Sequence, residues 1–245
     1  MGSAPPGPSA SGPYTASTTG TATVVVVLPG LGSAGPVDPE VTGAIGAGAT
    51  VIAVDGGVDH ALALGLPVHR AVGDFDSVTE AGLARVQTTG ASVERHPAAK
   101  DLTDLELALG AATAAGARRI VVLGGRGGRL DHALANLLAL GAPALAGVDV
   151  VALLDGSRVT VVRTSAVFRG RPGSLLSLLP VGGPAVGVRT ERLEYPLHDE
   201  DLPAGSARGL SNVLVAPTAH VSLRGGVLLA VQPDHEPDPP QEMSR

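Results

Sequence analysis

The sequence predicts an α/β fold, in which an N-terminal domain with a parallel sheet is followed by a C-terminal antiparallel β-sandwich. In the first part, short β-branched runs alternate with segments rich in alanine and leucine, as in a parallel sheet covered by helices on both faces. After Asp155-Gly156 no long helical pattern remains, and short strands recur between turn signals. We therefore predict a disordered tail at 1–22, an α/β domain at 23–154, a β-sandwich at 155–232 and a second disordered tail at 233–245.

Strands and helices alternate through the predicted α/β domain. The predicted strands are Val24–Leu28, Val51–Val54, Val68–Val72, Ser92–Arg95, Ile120–Leu123 and Val148–Leu153. The predicted helices are His60–Leu64, Thr79–Gln87, Thr103–Ala115 and Leu130–Leu140. Thr103 and Glu106 have the spacing of a capping box, which fixes where the third of these helices begins. In such sheets ligands bind beyond the carboxyl ends of the strands, so the residues that follow each strand are the functional candidates.

The sequence pattern of the second part predicts short strands and no helix. The predicted strands are Val159–Arg163, Ser174–Leu179, Ala185–Arg189, Asn212–Ala216, His220–Leu223 and Val227–Val231. Glycine-containing turns separate them, at Asp155-Gly156, Gly182-Gly183-Pro184 and Arg224-Gly225-Gly226. This pattern is typical of a small antiparallel sandwich.

Composition excludes several classes of function. The net charge of -6 and the 2% aromatic content argue against a nucleic-acid partner, which needs basic patches or stacking side chains. No apolar run approaches the ~20 residues that cross a bilayer, so no membrane partner is expected. The absence of cysteine excludes disulfides and cysteine-ligated metals, and the histidines are scattered. The first residues lack the features of a secretory signal, and a cytoplasmic protein is predicted.

Acidic residues follow three of the predicted strands. They occur in Asp55-Gly56-Gly57, in Gly73-Asp74-Phe75-Asp76-Ser77 and in Lys100-Asp101-Leu102-Thr103-Asp104. If the strands are parallel, these loops share one edge of the sheet, and five carboxylates come within reach of one site: Asp55, Asp74, Asp76, Asp101 and Asp104. So many carboxylates with a single nearby lysine favour a hard divalent cation, Mg²⁺ in particular.

A glycine-rich loop follows the fifth predicted strand, at residues 124–128, and leads into a helix. Such a loop exposes backbone N–H groups, which together with the helix start suit phosphate. Arg129 can neutralise phosphate oxygens. Glycines, an arginine and a carboxylate-held cation together suggest a nucleoside triphosphate substrate and phosphoryl or pyrophosphoryl transfer.

Each motif taken alone has a structural alternative. Asp-Gly-Gly is an ordinary turn, and Asp74 and Asp76 could cap the next segment. His132 shares a helix face with Asn136, so a structural pairing of the two is as reasonable as a catalytic role.

Taken in order, the segments VDGG, GDFDS, KDLTDLELAL and GGRGGRLDHALANL resemble those of the thiamine pyrophosphokinase (thiamine diphosphokinase) family. The segments GVRTERLEYPL and GLSN of the second half are also similar, so that the resemblance extends from about Val24 to Val231. It implies transfer of a diphosphoryl group from ATP to the hydroxyl of thiamine, giving thiamine diphosphate and AMP. It also implies Mg²⁺ as cofactor and a homodimer whose thiamine pocket lies between the subunits.

The resemblance also implies a role for individual residues. Asp74, Asp76 and Asp104 would hold the metal, and they count as catalytic together with Asp101 and Arg129. The residues predicted to bind substrate or cofactor are Asp55, Gly56, Gly57, Lys100, Thr103, Gly125, Gly128, Asp131, Ser211 and Asn212. The general base is sought among Asp74, Asp76 and Asp101. The chain lacks the tryptophan on which some relatives stack thiamine, so Leu210, Tyr195 or an aliphatic wall would serve instead.

Two rival functions remain open from the sequence. One is the same chemistry with another alcohol, such as a pterin carbinol. The other is a catalytically silent protein that senses a nucleotide or thiamine, against which the full set of loop carboxylates argues.

Overall fold

The computed structural model describes residues 22–30, 39–97, 101–125 and 129–233. The predicted tails fall almost entirely outside these ranges, and the predicted site residues Lys100 and Gly128 fall outside them as well.

Strands and helices alternate through the first part of the chain, as predicted. The strands are β1 (Thr23–Val27), β2 (Thr50–Val54), β3 (Arg70–Gly73), β4 (Ser92–Arg95), β5 (Arg119–Gly124) and β6 (Asp149–Leu154). The helices are α1 (Pro39–Gly46), α2 (Gly57–Ala63), α3 (Glu80–Thr88), α4 (Asp104–Ala114) and α5 (Leu130–Leu140), with a short 3-10 helix at Pro143–Leu145. The six strands are parallel, in the order β6-β5-β1-β2-β3-β4.

The second part consists of strands. They are β7 (Ser157–Val162), β8 (Ser165–Arg169), β9 (Leu175–Pro180), β10 (Ala185–Glu191), β11 (His198–Leu202), β12 (Asn212–Val213), β13 (Thr218–Ser222) and β14 (Leu228–Pro233). Four of them extend the first sheet beyond β6 in the order β7-β14-β9-β12, and all their pairings are antiparallel. The other four form a second antiparallel sheet, ordered β11-β10-β13-β8. The predicted fold class is confirmed.

The central strands are continuously apolar, and the valine run of β1 shows why. Val24 and Val26 pack on the face that carries α4 and α5, whereas Val25 and Val27 pack on the face that carries α2 and α3. All four side chains are buried. Because successive side chains of a strand point to opposite faces, a strand covered on both sides needs apolar residues at every position.

A third core joins the two sheets of the second part. Val162, Leu178 and Leu228 of the extended sheet pack with Val188 and Val221 of the four-stranded sheet, which gives the predicted sandwich. The predicted boundary between residues 154 and 155 falls in the turn between β6 and β7, two strands that pair with each other.

Several elements differ from those predicted. Helix α1 and the strands β8 and β11 were not predicted, because α1 contains two glycines and β11 reads HDEDL, which lacks an apolar alternation. The predicted strand Asn212–Ala216 contains only the two residues of β12. In the described part of the chain, no helix has the length and apolar character needed to span a membrane.

Candidate active site

A cavity of about 610 Å³ opens at the carboxyl edge of the parallel strands. Its wall comes from the ends of β1 and β2, from the residues that lead into α4, and from the start of α5. The chain leaves β1 toward β2 on one side, while β5 and β6 lie on the other side of β1. A crevice at such a switch point is where open parallel sheets bind ligands, and the cavity is large enough for a small molecule.

Asp55 stands at the centre of the carboxylate group. Its Oδ1 accepts a hydrogen bond from the Phe75 N–H at 3.1 Å. Burial raises the pKa of Asp55 to about 6, and the neighbouring carboxylates of Asp104 and Asp74, together with a side-chain hydrogen bond to Asp104, raise it as well. The structure therefore brings Asp55, Asp74 and Asp104 together from three loops that lie far apart in the sequence.

The loop after β3 holds two of the predicted metal ligands on either side of Phe75. The Phe75 side chain is buried in the core between the parallel sheet and the helices α2 and α3. The Phe75 backbone has a left-handed φ of 61°. Asp74 and Asp76 flank it, and the Asp76 N–H donates to Asp74 Oδ1 at 3.1 Å. Gly73 suits this loop because its φ of 147° is rare for a residue with a Cβ, and a Cβ there would lie 1.8 Å from Asp55 Oδ1 and displace that side chain.

The predicted carboxylates differ in how they face the cavity. Asp55, Asp101 and Asp104 belong to its lining, whereas in the described part of the chain Asp74 and Asp76 do not. Asp76 is exposed to solvent.

A metal site can be tested against this arrangement. Within the described ranges, no three histidine, aspartate or glutamate side chains stand close enough together to form a metal cage. Mg²⁺ usually takes only one or two protein carboxylates and completes its shell with water and substrate phosphates. Oxygen ligands from Asp74 and Asp104 fit that pattern, and the ligand set of Asp74, Asp76 and Asp104 stays a prediction.

The start of α4 is fixed as the sequence predicts. Thr103 Oγ1 accepts from the Glu106 N–H at 3.2 Å, and Glu106 Oε2 accepts from the Thr103 N–H at 2.8 Å. This capping box makes Asp104 the first residue of α4 and places it beside Asp55. Thr103 also lines the cavity.

The first two residues of the glycine-rich loop, Gly124 and Gly125, lie against the end of β1. The Gly125 N–H donates to the Pro29 carbonyl at 2.8 Å, and a Cβ at Gly124 would lie 2.6 Å from the Leu28 carbonyl oxygen. Gly124 therefore permits a close approach of two loops, and Gly125 lines the cavity.

Arg129 precedes the first residue of α5, at the mouth of the cavity. Its Nη2 and Nε donate to the two carboxylate oxygens of Asp131 at 2.6 and 3.1 Å. This pair raises the pKa of Arg129 and lowers the pKa of Asp131. Asp131 thus holds a permanently charged guanidinium beside the cavity.

Gly56 and Gly57, predicted to bind substrate, have packing roles in this structure. A Cβ at Gly57 would lie 2.1 Å from the Val27 carbonyl oxygen, so only glycine lets α2 begin against the end of β1. The Gly56 N–H donates to Ser77 Oγ at 3.1 Å and so ties the loop after β2 to the loop after β3. His132 and Asn136, for which the sequence left a structural pairing open, both line the cavity.

The two predicted thiamine-binding residues lie at β12, which is the edge strand of the extended sheet at the end away from β4. The Asn212 side chain is buried and its amide bonds to the backbone of Tyr195, with Oδ1 accepting at 3.0 Å and Nδ2 donating at 2.7 Å. Ser211 is exposed, and its N–H donates to Ser177 Oγ at 3.0 Å. Asn212 therefore fixes Tyr195, which is exposed together with Leu210.

The fold and the site define the class of this protein as an α/β enzyme that transfers a phosphate-containing group, joined to a β-sandwich. Residues 45–151 match the family model described as thiamin pyrophosphokinase, catalytic domain, and residues 163–228 match thiamin pyrophosphokinase, vitamin B1 binding domain. The chain belongs to the thiamin pyrophosphokinase family, and the predicted resemblance is confirmed. Members of this family are diphosphotransferases.

Individual relatives agree with the family models. The thiamine pyrophosphokinase of Bacillus subtilis (strain 168) is 26% identical over 196 residues, which cover 79% of this chain and 92% of that protein. The crystal structure of the Bacillus subtilis thiamine pyrophosphokinase is similar with a TM-score of 0.74 at 25% identity, covering 87% of this chain and 99% of that chain. A thiamin pyrophosphokinase family protein from Enterococcus faecalis has a TM-score of 0.72 at 27% identity, with the same coverage of 87% and 99%.

Proposed function

We propose that this chain transfers a diphosphoryl group from ATP to the hydroxyl of thiamine, giving thiamine diphosphate and AMP. The observation that carries the proposal is the meeting of Asp55, Asp74 and Asp104 beside a cavity that also holds Arg129. A cavity lined by acidic side chains and by a guanidinium that is paired with Asp131 suits a metal-bound polyphosphate. Family membership narrows the acceptor to thiamine.

Two charged residues carry the proposed chemistry within the cavity. Arg129, oriented by Asp131, would bind phosphate oxygens and neutralise the charge that builds on them during transfer. Asp101 is the one of the three predicted general bases that lines the cavity in the described part of the chain, so we assign it removal of the hydroxyl proton.

Mg²⁺ is proposed as the cofactor, with Asp74 and Asp104 as its protein ligands and Asp76 beside them. When bound, the cation would neutralise phosphate charge that Arg129 alone cannot balance. The cation would also stabilise the carboxylates, because Asp74 and Asp104 lie close enough to Asp55 to raise its pKa by charge repulsion.

A homodimer is supported by the distance between the two halves of the proposed site. Six strands separate β12 from β2 in the extended sheet. At a spacing of about 4.8 Å between neighbouring strands, the path along the sheet from β12 to the strands that end at the cavity is roughly 30 Å. Thiamine cannot bridge that distance, so the residues at β12 would contribute to the cavity of a second copy. Since the reaction consumes ATP, we also propose a cytoplasmic location.

The test is AMP formation by the full-length protein with ATP, Mg²⁺ and thiamine. We expect AMP and thiamine diphosphate in equal amounts. Asp104→Asn should lower kcat by about 10²–10³, the usual effect of removing one group that stabilises transition-state charge. Asp149→Asn is the matched control, since Asp149 pairs with Arg119 at the amino edge of the sheet, away from the cavity, and should retain activity.

Other outcomes separate the rival functions. If AMP formed only with a pterin carbinol, that alcohol and not thiamine would be the acceptor. Binding of ATP or thiamine without any AMP would indicate a sensor and would contradict the proposed catalysis.

A further inference from the structure

Arg95 attaches the loop that carries Asp74 and Asp76 to the last strand of the sheet. It is the final residue of β4, which pairs with β3 in parallel, with Gly73 opposite Arg95. Its Nη1 donates to the backbone carbonyl of Asp74 at 2.6 Å. The same guanidinium lies 5.1 Å from the centroid of the Phe75 ring, a distance typical of a cation–π contact.

The loop that Arg95 contacts has a backbone that needs support. Phe75 has a φ of 61°, a left-handed conformation that is unfavourable for a residue with a Cβ. It is held there because its ring is buried and its N–H donates to Asp55 Oδ1. A neighbouring turn is fixed by the bond from the Gly56 N–H to Ser77 Oγ.

These supports come from two sides. The bonds from Asp55 and Gly56 come from the loop after β2, on one side of β3, whereas Arg95 comes from β4 on the other side. Arg95 therefore contacts the peptide unit between Asp74 and Phe75 and the ring that lies between the two carboxylate-bearing residues.

The contact differs from an ordinary cross-strand pair. Arg70 and Glu94 form such a pair between β3 and β4, where each side chain only balances the other. Arg95 instead divides one guanidinium between a carbonyl and an aromatic face, and its planar group can serve both at once. A lysine has a compact ammonium and cannot reproduce that arrangement.

We propose that Arg95 is a positioning residue for the divalent cation. It contacts the loop and not the reacting atoms, and it holds Asp74 and Asp76 in the orientation in which they can bind the metal. The inference rests on the proposed function, because it takes these carboxylates as the cation's ligands. Residues that orient metal ligands commonly change metal affinity by about 10–100-fold when they are replaced.

The experiment measures Mn²⁺ binding to the full-length protein by electron paramagnetic resonance, in the presence of a non-hydrolysable ATP analogue. Arg95→Ala should weaken Mn²⁺ binding about tenfold or more and should raise the Mg²⁺ concentration for half-maximal AMP formation equally. At saturating Mg²⁺ most of kcat should return. Arg95→Lys should recover only part of the affinity.

A matched control removes an arginine elsewhere. Arg85 is exposed in α3 and borders a different cavity, so Arg85→Ala should bind Mn²⁺ like the unmodified protein. Phe75→Leu keeps an apolar side chain in the core but removes the ring, and it should weaken Mn²⁺ binding in the same direction. Thermal unfolding will show whether Arg95→Ala folds. If it does not fold, Mn²⁺ binding by Phe75→Leu tests the proposal instead.

The outcomes separate this inference from the proposed function. Wild-type affinity for Mn²⁺ in a folded Arg95→Ala protein, or no Mn²⁺ binding by the unmodified protein, would overturn the role of Arg95. Binding that depends on Arg95 in a protein that makes no AMP would support the inference and contradict the proposed reaction. AMP formation with the same Mg²⁺ dependence in Arg95→Ala and in the unmodified protein would support the proposed reaction and contradict the role of Arg95.

Discussion

Asp55 has an environment in which its charge is unfavourable. It is half-buried, and the negative side chains of Asp104 and Asp74 stand beside it. One backbone N–H, that of Phe75, favours the charged form but does not offset the burial and the neighbouring charges. A carboxylate in such surroundings is destabilising until a cation joins it.

The free energy of unfolding should therefore depend on pH through Asp55. The pKa rises from 3.8 to about 6 on folding, so between these values the folded chain keeps a proton that the unfolded chain has released. Stability due to this group is present at low pH and is lost as the pH rises through that window. In EDTA, Asp55→Asn should remove the loss and be more stable than the unmodified protein above pH 6.

Urea unfolding at several pH values between 4 and 8 checks this prediction. The stability difference between the variant and the unmodified protein should grow across the window and stay constant above it. Parallel profiles over the whole range would contradict it.

Single residues differ in how far the sequence could predict them. The capping pair of Thr103 and Glu106 was predictable, because both partners lie within one helical turn. The contact of Arg95 was not, because it depends on the register of β3 against β4 and on a left-handed Phe75. No local signal distinguishes Arg95 from any other arginine at the end of a strand.

Among the elements, α4 connects stability most directly to the site. Its first residue is Asp104, so the way in which the helix begins decides where that carboxylate lies. Orphan N–H groups at a helix start need partners, and Thr103 Oγ1 supplies one of them. The sequence shows this start clearly, but it gave no sign of α1 or β11, whose residues have weak local preferences. It did not reveal β8 either, although Val167 and Phe168 favour a strand.

Thr103→Ala should destabilise the protein by about 1 kcal/mol, the usual effect of losing an N-cap hydroxyl. It should also reduce AMP formation, because Asp104 loses a fixed helix start. Thr103→Ser keeps the hydroxyl and should restore both properties.

The control for this prediction lies in the same helix. Thr113 Oγ1 bonds to the α4 carbonyls of Leu109 and Gly110, so Thr113→Ala removes a hydroxyl without removing a cap. Equal losses of stability and activity in Thr103→Ala and Thr113→Ala, measured by thermal unfolding and the AMP assay, would contradict a specific role of the cap.

At the scale of the whole molecule, the extended sheet joins the two parts that the sequence separated. Val159, Val181 and Leu229 from the second part belong to the same core cluster as Leu140 and the strands of the first part. The sequence predicted both kinds of sheet, because local patterns report strand type. The pairing of β6 with β7 was missed although the sequence carries a signal for it, because Asp155-Gly156 is a typical two-residue hairpin turn and both residues have a positive φ.

The same extended sheet keeps the cavity and the residues around β12 apart, and a surface of α5 is suited to joining two copies. Leu130, Leu134 and Leu138 recur every four residues on one face of this helix, with 75%, 51% and 59% of their surfaces exposed. The face begins next to Arg129 at the cavity mouth. A second copy packed there would bury the leucines and place its own surface beside Arg129 and the cavity.

If the proposed homodimer packs through this face, Leu134→Glu should convert it to a monomer in analytical ultracentrifugation and should abolish AMP formation at low protein concentration. Val167→Glu is the matched control, because Val167 is an equally exposed apolar residue on β8, an edge of the other sheet. It should leave both mass and activity unchanged. If Leu134→Glu stayed dimeric, the second copy would have to bind another face, and α5 would play no part in completing the site.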